Sequence, residues 1–504
     1  MQHRFLAICF LVFLSLCSKA QQITFSEPYR DDALTMSFDI LGKINGSTAI
    51  FKDVRWHYAV NFFNDSMILK KQVELDYLPG KTFNVDCIAY NDYIWIIYQY
   101  QKKGTLYCMA QKLDGEGQKV NEPLQLDTTH IGNMGDNKIY STIFSDDKKS
   151  IVVFKMQRKD DVANFVVKLY DNQLQLQHQS RLAMPFEDRR NSFGDFFVDN
   201  DGNFVFSNAE KRTSRENASI LTLITKAPQA DNFRIHKLPF DSAYVDEVKM
   251  KIDNLNKRYI ISTLYYTERS GNIEGLYNYI WDAAGDSAYA SVFSEFNDDL
   301  RAAAKSSGSN RSAFDDFFLK NIVLKRDGSF MITAEDQTSQ SSGMNNPNRY
   351  DYLYNSPYFS PYDYYYYTPS YYGLYRPFSS FNNIGVRYYN DNILVLSISK
   401  TGTPEWTNVI QKQQTSDDND NYLSFSIFNT PGQVHFLFND ITRRDKQLSD
   451  NIISPGGTVK RSPTLRTYEK GFEFMPKYAK QVSAKQIIVP CTYRGQICFA
   501  KIDF

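Results

Sequence analysis

Asp199-Asn200-Asp201-Gly202-Asn203 places oxygen-bearing side chains at alternate positions, the spacing a calcium-binding loop uses. Such a loop needs glycine at its sixth position, and here that position is Phe204. A hairpin turn accounts for the same residues, as it does for Asp114-Gly115-Glu116-Gly117 and Arg326-Asp327-Gly328. Asp315-Asp316 pairs two carboxylates, but neighbours on a strand point to opposite faces and cannot act together as acid and base. His57, His130, His178, His236 and His435 are each isolated, so no local metal-ligand set is written; His435, inside an apolar run, is the least ordinary. A nucleophile elbow, a P-loop and a dinucleotide fingerprint are all missing. The sequence therefore assigns no catalytic residue, metal or cofactor, and the expectation is a protein that binds rather than turns over.

The strongest candidate for binding is a run of tyrosines at 350, 352, 354, 358, 362, 364, 365, 366, 367, 371, 372 and 375. Tyrosine combines a broad apolar face, a hydroxyl and few rotors, which suits glycan stacking or protein contact. Tyr358, Tyr362, Tyr364, Tyr365, Tyr366, Tyr367, Tyr371 and Tyr372 are the binding residues expected from this run. Pro347, Pro357, Pro361, Pro369 and Pro377 remove backbone donors along it, so a long loop is expected over about 338–386 rather than a strand or helix.

Cysteine chemistry is the other possibility. Arg494-Gly495 reads as a two-residue hairpin turn, which sets Tyr493 opposite Gln496 and Cys491 opposite Cys498 in a hydrogen-bonded pair. An oxidising compartment favours a Cys491–Cys498 disulfide and the register strains it, so disulfide and dithiol both stay open. Cys87 and Cys108 are separated by an intervening strand and are expected to be free, and none of the spacings is a zinc pattern.

The elements that must hold these residues form a repeat. Each copy has a half-polar strand, a tight polar turn and a short, nearly continuous apolar strand. Asn45-Gly46 leads to Thr48–Phe51, Asn91-Asp92 to Tyr93–Tyr98, Asp146-Asp147 to Ile151–Phe154 and Asp199–Gly202 to Phe204–Phe206. Asp253–Asn256 leads to Tyr259–Ile261, Asp327-Gly328 to Phe330–Ile332, Pro431-Gly432 to Val434–Phe438 and Ser483-Ala484 to Ile487–Val489. Most steps between copies fall in the fifties, right for four short strands with loops; the long step of 104 holds the tyrosine insertion. Four antiparallel strands repeated in this way describe an all-β fold, a β-propeller. Eight blades are favoured, and seven follow if one weak copy is a lone hairpin. The chain stops after the third strand of its last unit, and Ile23-Thr24-Phe25 supplies the edge strand that would close the ring. An outer-membrane barrel is the rival. It needs strands of about ten residues with strict alternation, which Ile151–Phe154 does not supply.

This outline resembles the propeller enzymes of the sialidase class, whose repeated Ser-x-Asp-x-Gly-x-Thr-Trp box has one near match here. Ser399-Lys400-Thr401-Gly402-Thr403-Pro404-Glu405-Trp406 lacks the aspartate and occurs once, which leaves a glycan-active enzyme as the alternative to a binding propeller.

Residues 1–20 read as a signal peptide. His3 and Arg4 precede the apolar Phe5–Leu16, and Ser18-Lys19-Ala20 sets small residues before a cut at Gln21. Acylation at Cys17 is the alternative, against which stands Leu16 where a small residue is wanted. Residues 21–504 then form one propeller domain, and no run is long enough for a transmembrane helix. The leader, ending Lys-Ala-Gln-Gln, resembles those of Gram-negative proteins that use type IX secretion, though Cys498–Phe504 does not match that pathway's sorting domain. Asp65-Ser66-Met67, Asp127-Thr128-Thr129, Asp241-Ser242-Ala243 and Asp286-Ser287-Ala288 look like the O-glycosylation acceptors of that group. With 57 basic and 57 acidic residues the chain has no electrostatic case for nucleic acid. The expectation is an exported propeller, periplasmic or associated with the outer membrane, whose partner is an envelope protein or glycan. One specific form of it is an accessory subunit of a type IX translocon.

Overall fold

The computed structural model describes residues 21–29, 35–80, 82–131, 138–187, 189–213, 216–240, 243–268, 271–305, 313–341, 364–365, 386–417, 419–442, 445–462 and 471–504. The leader at 1–20 lies outside them, as do Asp241 and Ser242. The described chain folds into eight separate antiparallel sheets arranged as a propeller, which settles the count at eight. Because the sheets are separate, the single lipid-facing cylinder considered above does not hold.

Blade one is Met36–Ile44, Ser47–Val54, His57–Phe63 and Leu69–Glu74, from axis to rim. Blade two is Thr82–Ala89, Tyr93–Lys102, Thr105–Asp114 and Leu124–His130. Blade three is Ser141–Phe144, Ser150–Lys159, Val162–Asp171 and Leu176–Pro185; blade four is Asn191–Val198, Phe204–Glu210, Ile220–Lys226 and Arg234–Lys237. Blade five is Lys249–Asp253, Arg258–Tyr265, Gly275–Asp282 and Ser287–Glu295; blade six is Phe317–Leu324, Phe330–Ser341, Val386–Ile398 and Pro404–Ile410. Blade seven is Phe425–Thr430, Gln433–Thr442, Asp445–Ile453 and Val459–Arg461. In blade eight the innermost strand is broken into Phe472–Phe474 and Lys480–Ser483 by a 3-10 turn at Pro476–Tyr478, and Gln486–Tyr493 and Gln496–Asp503 follow.

The apolar second strands are buried on both faces because each blade is covered by a neighbour on either side. Between blades three and four, for example, Phe154 and Phe165 pack with Phe196, Phe204 and Phe206, all almost fully buried. Burying one such side chain contributes roughly 1.5–3 kcal/mol. The innermost strands are half-polar because one side of each borders the axis. Hairpins are tight where the residues permit: Asn45 and Gly46 (φ 46° and 76°), between the first and second strands of blade one, and Arg494 and Gly495 (φ 52° and 79°), between the second and third of blade eight, take the left-handed pairs of a two-residue turn.

Closure follows the expected route. Gln22–Phe25 adds to Gln496–Asp503 as the outer strand of blade eight, with Ile23 opposite Ile502 and Phe25 opposite Ala500. Phe25 stacks on Phe472 at 4.1 Å between ring centres, and Ser26 N–H donates to Phe499 O at 2.8 Å. The barrier to solvent at the last sheet edge is thus the segment Gln22–Phe25.

Candidate binding face and axial charge cluster

In blade six the second and third strands pair up to Ser341 and Val386, so the insertion leaves and returns at one point, slightly inside the bounds read from the sequence. Its middle is not all loop. Tyr364 and Tyr365 pair antiparallel with Gln157 and Met156 of blade three's second strand. Proline is absent between Pro361 and Pro369, which leaves these tyrosines the donors a strand requires. The acceptor edge exists because blade three's innermost strand is short. Ser141 pairs with Phe154 and the ladder ends there, while Ser150–Lys159 runs on, paired on its other side with Val162–Asp171, which in turn pairs with Leu176–Pro185. An open strand edge of this kind is a template for another segment, and here the insertion takes it. Blades four and five lie between the two attachment points, which are Ser341 and Val386 on blade six and Tyr364-Tyr365 on blade three. Tyr358, Tyr362, Tyr366, Tyr367, Tyr371 and Tyr372 lie outside the described residues.

The second and third strands of blade three are pinned to blade two. Lys155 Nζ donates to Asp127 Oδ2 at 2.8 Å and to Thr129 Oγ1 at 2.8 Å, and Lys168 Nζ donates to Asp127 Oδ1 at 2.9 Å. Burial works against the Asp127 charge, but the two ammonium groups prevail and hold its carboxyl below the usual range. Asp127 of the acceptor-like tripeptide is therefore committed to two ion pairs.

The axis carries the second cluster. Asp39 and Asp86 sit on the innermost strands of blades one and two, and Lys480 on that of blade eight; Lys480 Nζ is 3.7 Å from Asp39 Oδ1. Burial, with a smaller contribution from Asp86 and against the pull of Lys480, pushes the Asp39 carboxyl up to about 6. Burial also drives the neighbouring Cys87 thiol well above its ordinary range. Around the ring, burial opposes the charge on Lys249, yet Asp195 and Glu247 raise it above its usual value.

Between blades six and seven this becomes a closed network. Glu335 is fully buried; its Oε1 lies 2.8 Å from Lys412 Nζ and its Oε2 lies 3.5 Å from Lys320 Nζ. Oε2 also accepts from Ser424 Oγ at 2.6 Å, Gln337 Nε2 at 3.0 Å and Asn390 Nδ2 at 3.1 Å. Lys412 donates further to Asn390 O and Gln414 Oε1. Burial opposes the Glu335 charge, but Lys412 and Lys320 hold its carboxyl below the usual value. The signal for Glu335 in the sequence is a glutamate directly after the apolar and small run Phe330–Ala334, on a strand that is otherwise buried there.

Asp39 makes a pH-dependent prediction. Its folded pKa lies above the unfolded value, so its penalty is absent below about pH 4, grows between about 4 and 6 and is constant above. A shift of that size corresponds to up to about 3 kcal/mol. Asp39→Asn is expected to gain that much at pH 8 and nothing at pH 4, read by urea unfolding at both; parallel curves for the two proteins would rule the assignment out.

The other sequence candidates settle as structural parts. Asp199 Oδ1 accepts from Asp201 N and Asn203 N, closing the turn, and its Oδ2 accepts from Tyr259 Oη. His435 is buried, with Nδ1 3.0 Å from Asp450 Oδ2 and Nε2 3.2 Å from Thr430 Oγ1. Gln21 Nε2 donates to the same Asp450 carboxylate at 2.9 Å, which draws the closing segment onto blade seven. Ser399–Trp406 forms the turn into blade six's outer strand, where Ser399 Oγ accepts from Thr403 N. Among the described residues no three His, Cys, Asp or Glu side chains converge as a metal site. Nor is any helix among them long and apolar enough to cross a membrane.

No protein-family model and no curated protein matches the chain. Solved structures do. Prolyl oligopeptidase B from Galerina marginata is 9% identical with a TM-score of 0.41, over 92% of this chain and 56% of that one. A PL25 ulvan lyase is 11% identical with a TM-score of 0.37, over 82% of this chain and 90% of that one. The chain spans about half the length of the prolyl peptidase it matches. At such identity the likeness is one of fold alone.

Proposed function

We propose that this protein is a non-enzymatic binding propeller of a bacterial cell envelope, periplasmic or held at the outer membrane. Its partner is an envelope protein or glycan, received at the tyrosine-rich insertion. One observation carries this reading: the backbone of Tyr364-Tyr365 is fixed to blade three although the insertion belongs to blade six. A segment with both roots and its middle tied to the scaffold offers its aromatic residues at lower ordering cost than a free loop. The leader at 1–20 supports export, and an accessory role in an outer-membrane complex such as a type IX translocon is the specific form proposed.

Affinity capture from detergent-solubilised envelopes tests it with the intact protein and a variant lacking residues 342–385. The intact protein is expected to retain a partner that the deletion variant loses; identical retained sets would count against the insertion.

A second reading, a glycan-active enzyme, draws on Asp39, whose carboxyl is pushed by burial up to about 6 beside Asp86 on the axis. Oligosaccharide turnover by the wild type that disappears in Asp39→Asn would replace the first reading with this one.

A further inference from the structure

We propose that Cys491 and Cys498 are a disulfide-forming pair, oxidised while the last blade is open and then sealed in by the N-terminal strand. The Arg494-Gly495 turn fixes the register, with Tyr493 opposite Gln496 and Cys491 opposite Cys498. The hydrogen-bonding side is also fixed. Ile497 O and Phe499 O accept from Tyr29 N and Ser26 N, and Phe499 N donates to Ser26 Oγ, so those two residues turn their backbone groups toward the N-terminal segment. By alternation Cys498 turns its own toward Cys491. In such a pair the Cα atoms are about 5.5 Å apart, within the span a disulfide bridges. The two thiol sulfurs lie 2.8 Å from each other, and both residues are wholly buried.

Burial also dictates when the bond can form. Desolvation, with the neighbouring Cys498, raises the Cys491 thiol well above its ordinary value, and thiolate is the species that attacks a disulfide. Once Gln22–Phe25 has docked, formation and reduction are therefore both slow. Before docking, the edge of Gln496–Asp503 is open to a small disulfide in solution. One cysteine thiolate attacks a sulfur of that disulfide, expels a thiolate and leaves a mixed disulfide. The second cysteine, deprotonated, displaces the remaining thiol. The protein loses two electrons and two protons, and the external disulfide becomes two thiols. Cys87 and Cys108 are opposite Ile96 and Gln99 on the two sides of Tyr93–Lys102, which keeps them apart.

The experiment folds the full chain from the reduced, unfolded state with glutathione disulfide and digests it with trypsin without reduction. Cleavage after Arg494 separates the cysteines, so 486–494 and 495–501 are expected joined by one disulfide. Chain folded first under reductant and then given the same oxidant is expected to form that bond at least ~100-fold more slowly, as its thiolate is suppressed. Recovery of the two peptides separately alkylated after oxidative folding, or linked to Cys87 or Cys108, overturns the pairing. Equal rates from the unfolded and folded states overturn the order of sealing.

Discussion

Glu335→Ala is expected to lower the unfolding free energy by about 3–5 kcal/mol at pH 7, the cost of leaving a buried charge without its counter-ion. Lys412, buried beside it, keeps only neutral acceptors once the carboxylate is gone. Ser424, Gln337 and Asn390 lose the acceptor they share. A buried pair is not itself a strong source of stability, since desolvation offsets much of the attraction. The double substitution Glu335→Leu with Lys412→Met is accordingly expected to recover most of the loss. Urea denaturation of the three proteins reads both statements. A single-variant loss below about 1 kcal/mol, on the scale of an exposed pair, would mean that water reaches the cluster.

Removal of residues 1–26 is expected to have an effect of similar size. The four register pairs between Gln22–Phe25 and Gln496–Asp503 go, together with the stacking of Phe25 on Phe472 and the Ser26 contacts with Phe499. At about 1 kcal/mol per backbone hydrogen bond, with part of the roughly 1.5–3 kcal/mol of a full phenylalanine burial for the half-buried Phe25, the loss is on the order of 5 kcal/mol. The variant also exposes the edge of Gln496–Asp503, which invites edge-to-edge association. Lower melting temperature and self-association in sedimentation are expected, and a synthetic peptide of residues 21–29 added in trans should restore both. A variant that melts with the intact chain and stays monomeric would show that the ring does not depend on this strand.

Much of the architecture was legible because each blade repeats a local signal. A run such as Ile151–Phe154 has no polar face, so it must be covered on both sides. The turn before it fixes where the hairpin reverses. Two left-handed residues at Arg494-Gly495 set a register that placed Cys491 opposite Cys498 without any long-range knowledge. The pairing of Tyr364-Tyr365 with blade three could not be read in this way. The edge it uses is created by the shortness of Ser141–Phe144, and which segment fills it depends on how two non-adjacent blades face each other. The axial charges escaped for the same reason. Asp39 looks like any strand aspartate until the fold brings Lys480 and Asp86 beside it and removes the water.

The most direct measurement of the proposed function is the equilibrium affinity of the captured envelope partner for the intact protein and for the 342–385 deletion. Loss of an aromatic anchoring surface typically costs 2 kcal/mol or more, so the deletion is expected to weaken binding by about thirtyfold or more while the propeller remains folded. Equal affinities for the two folded proteins would contradict the account and move the binding site away from the insertion.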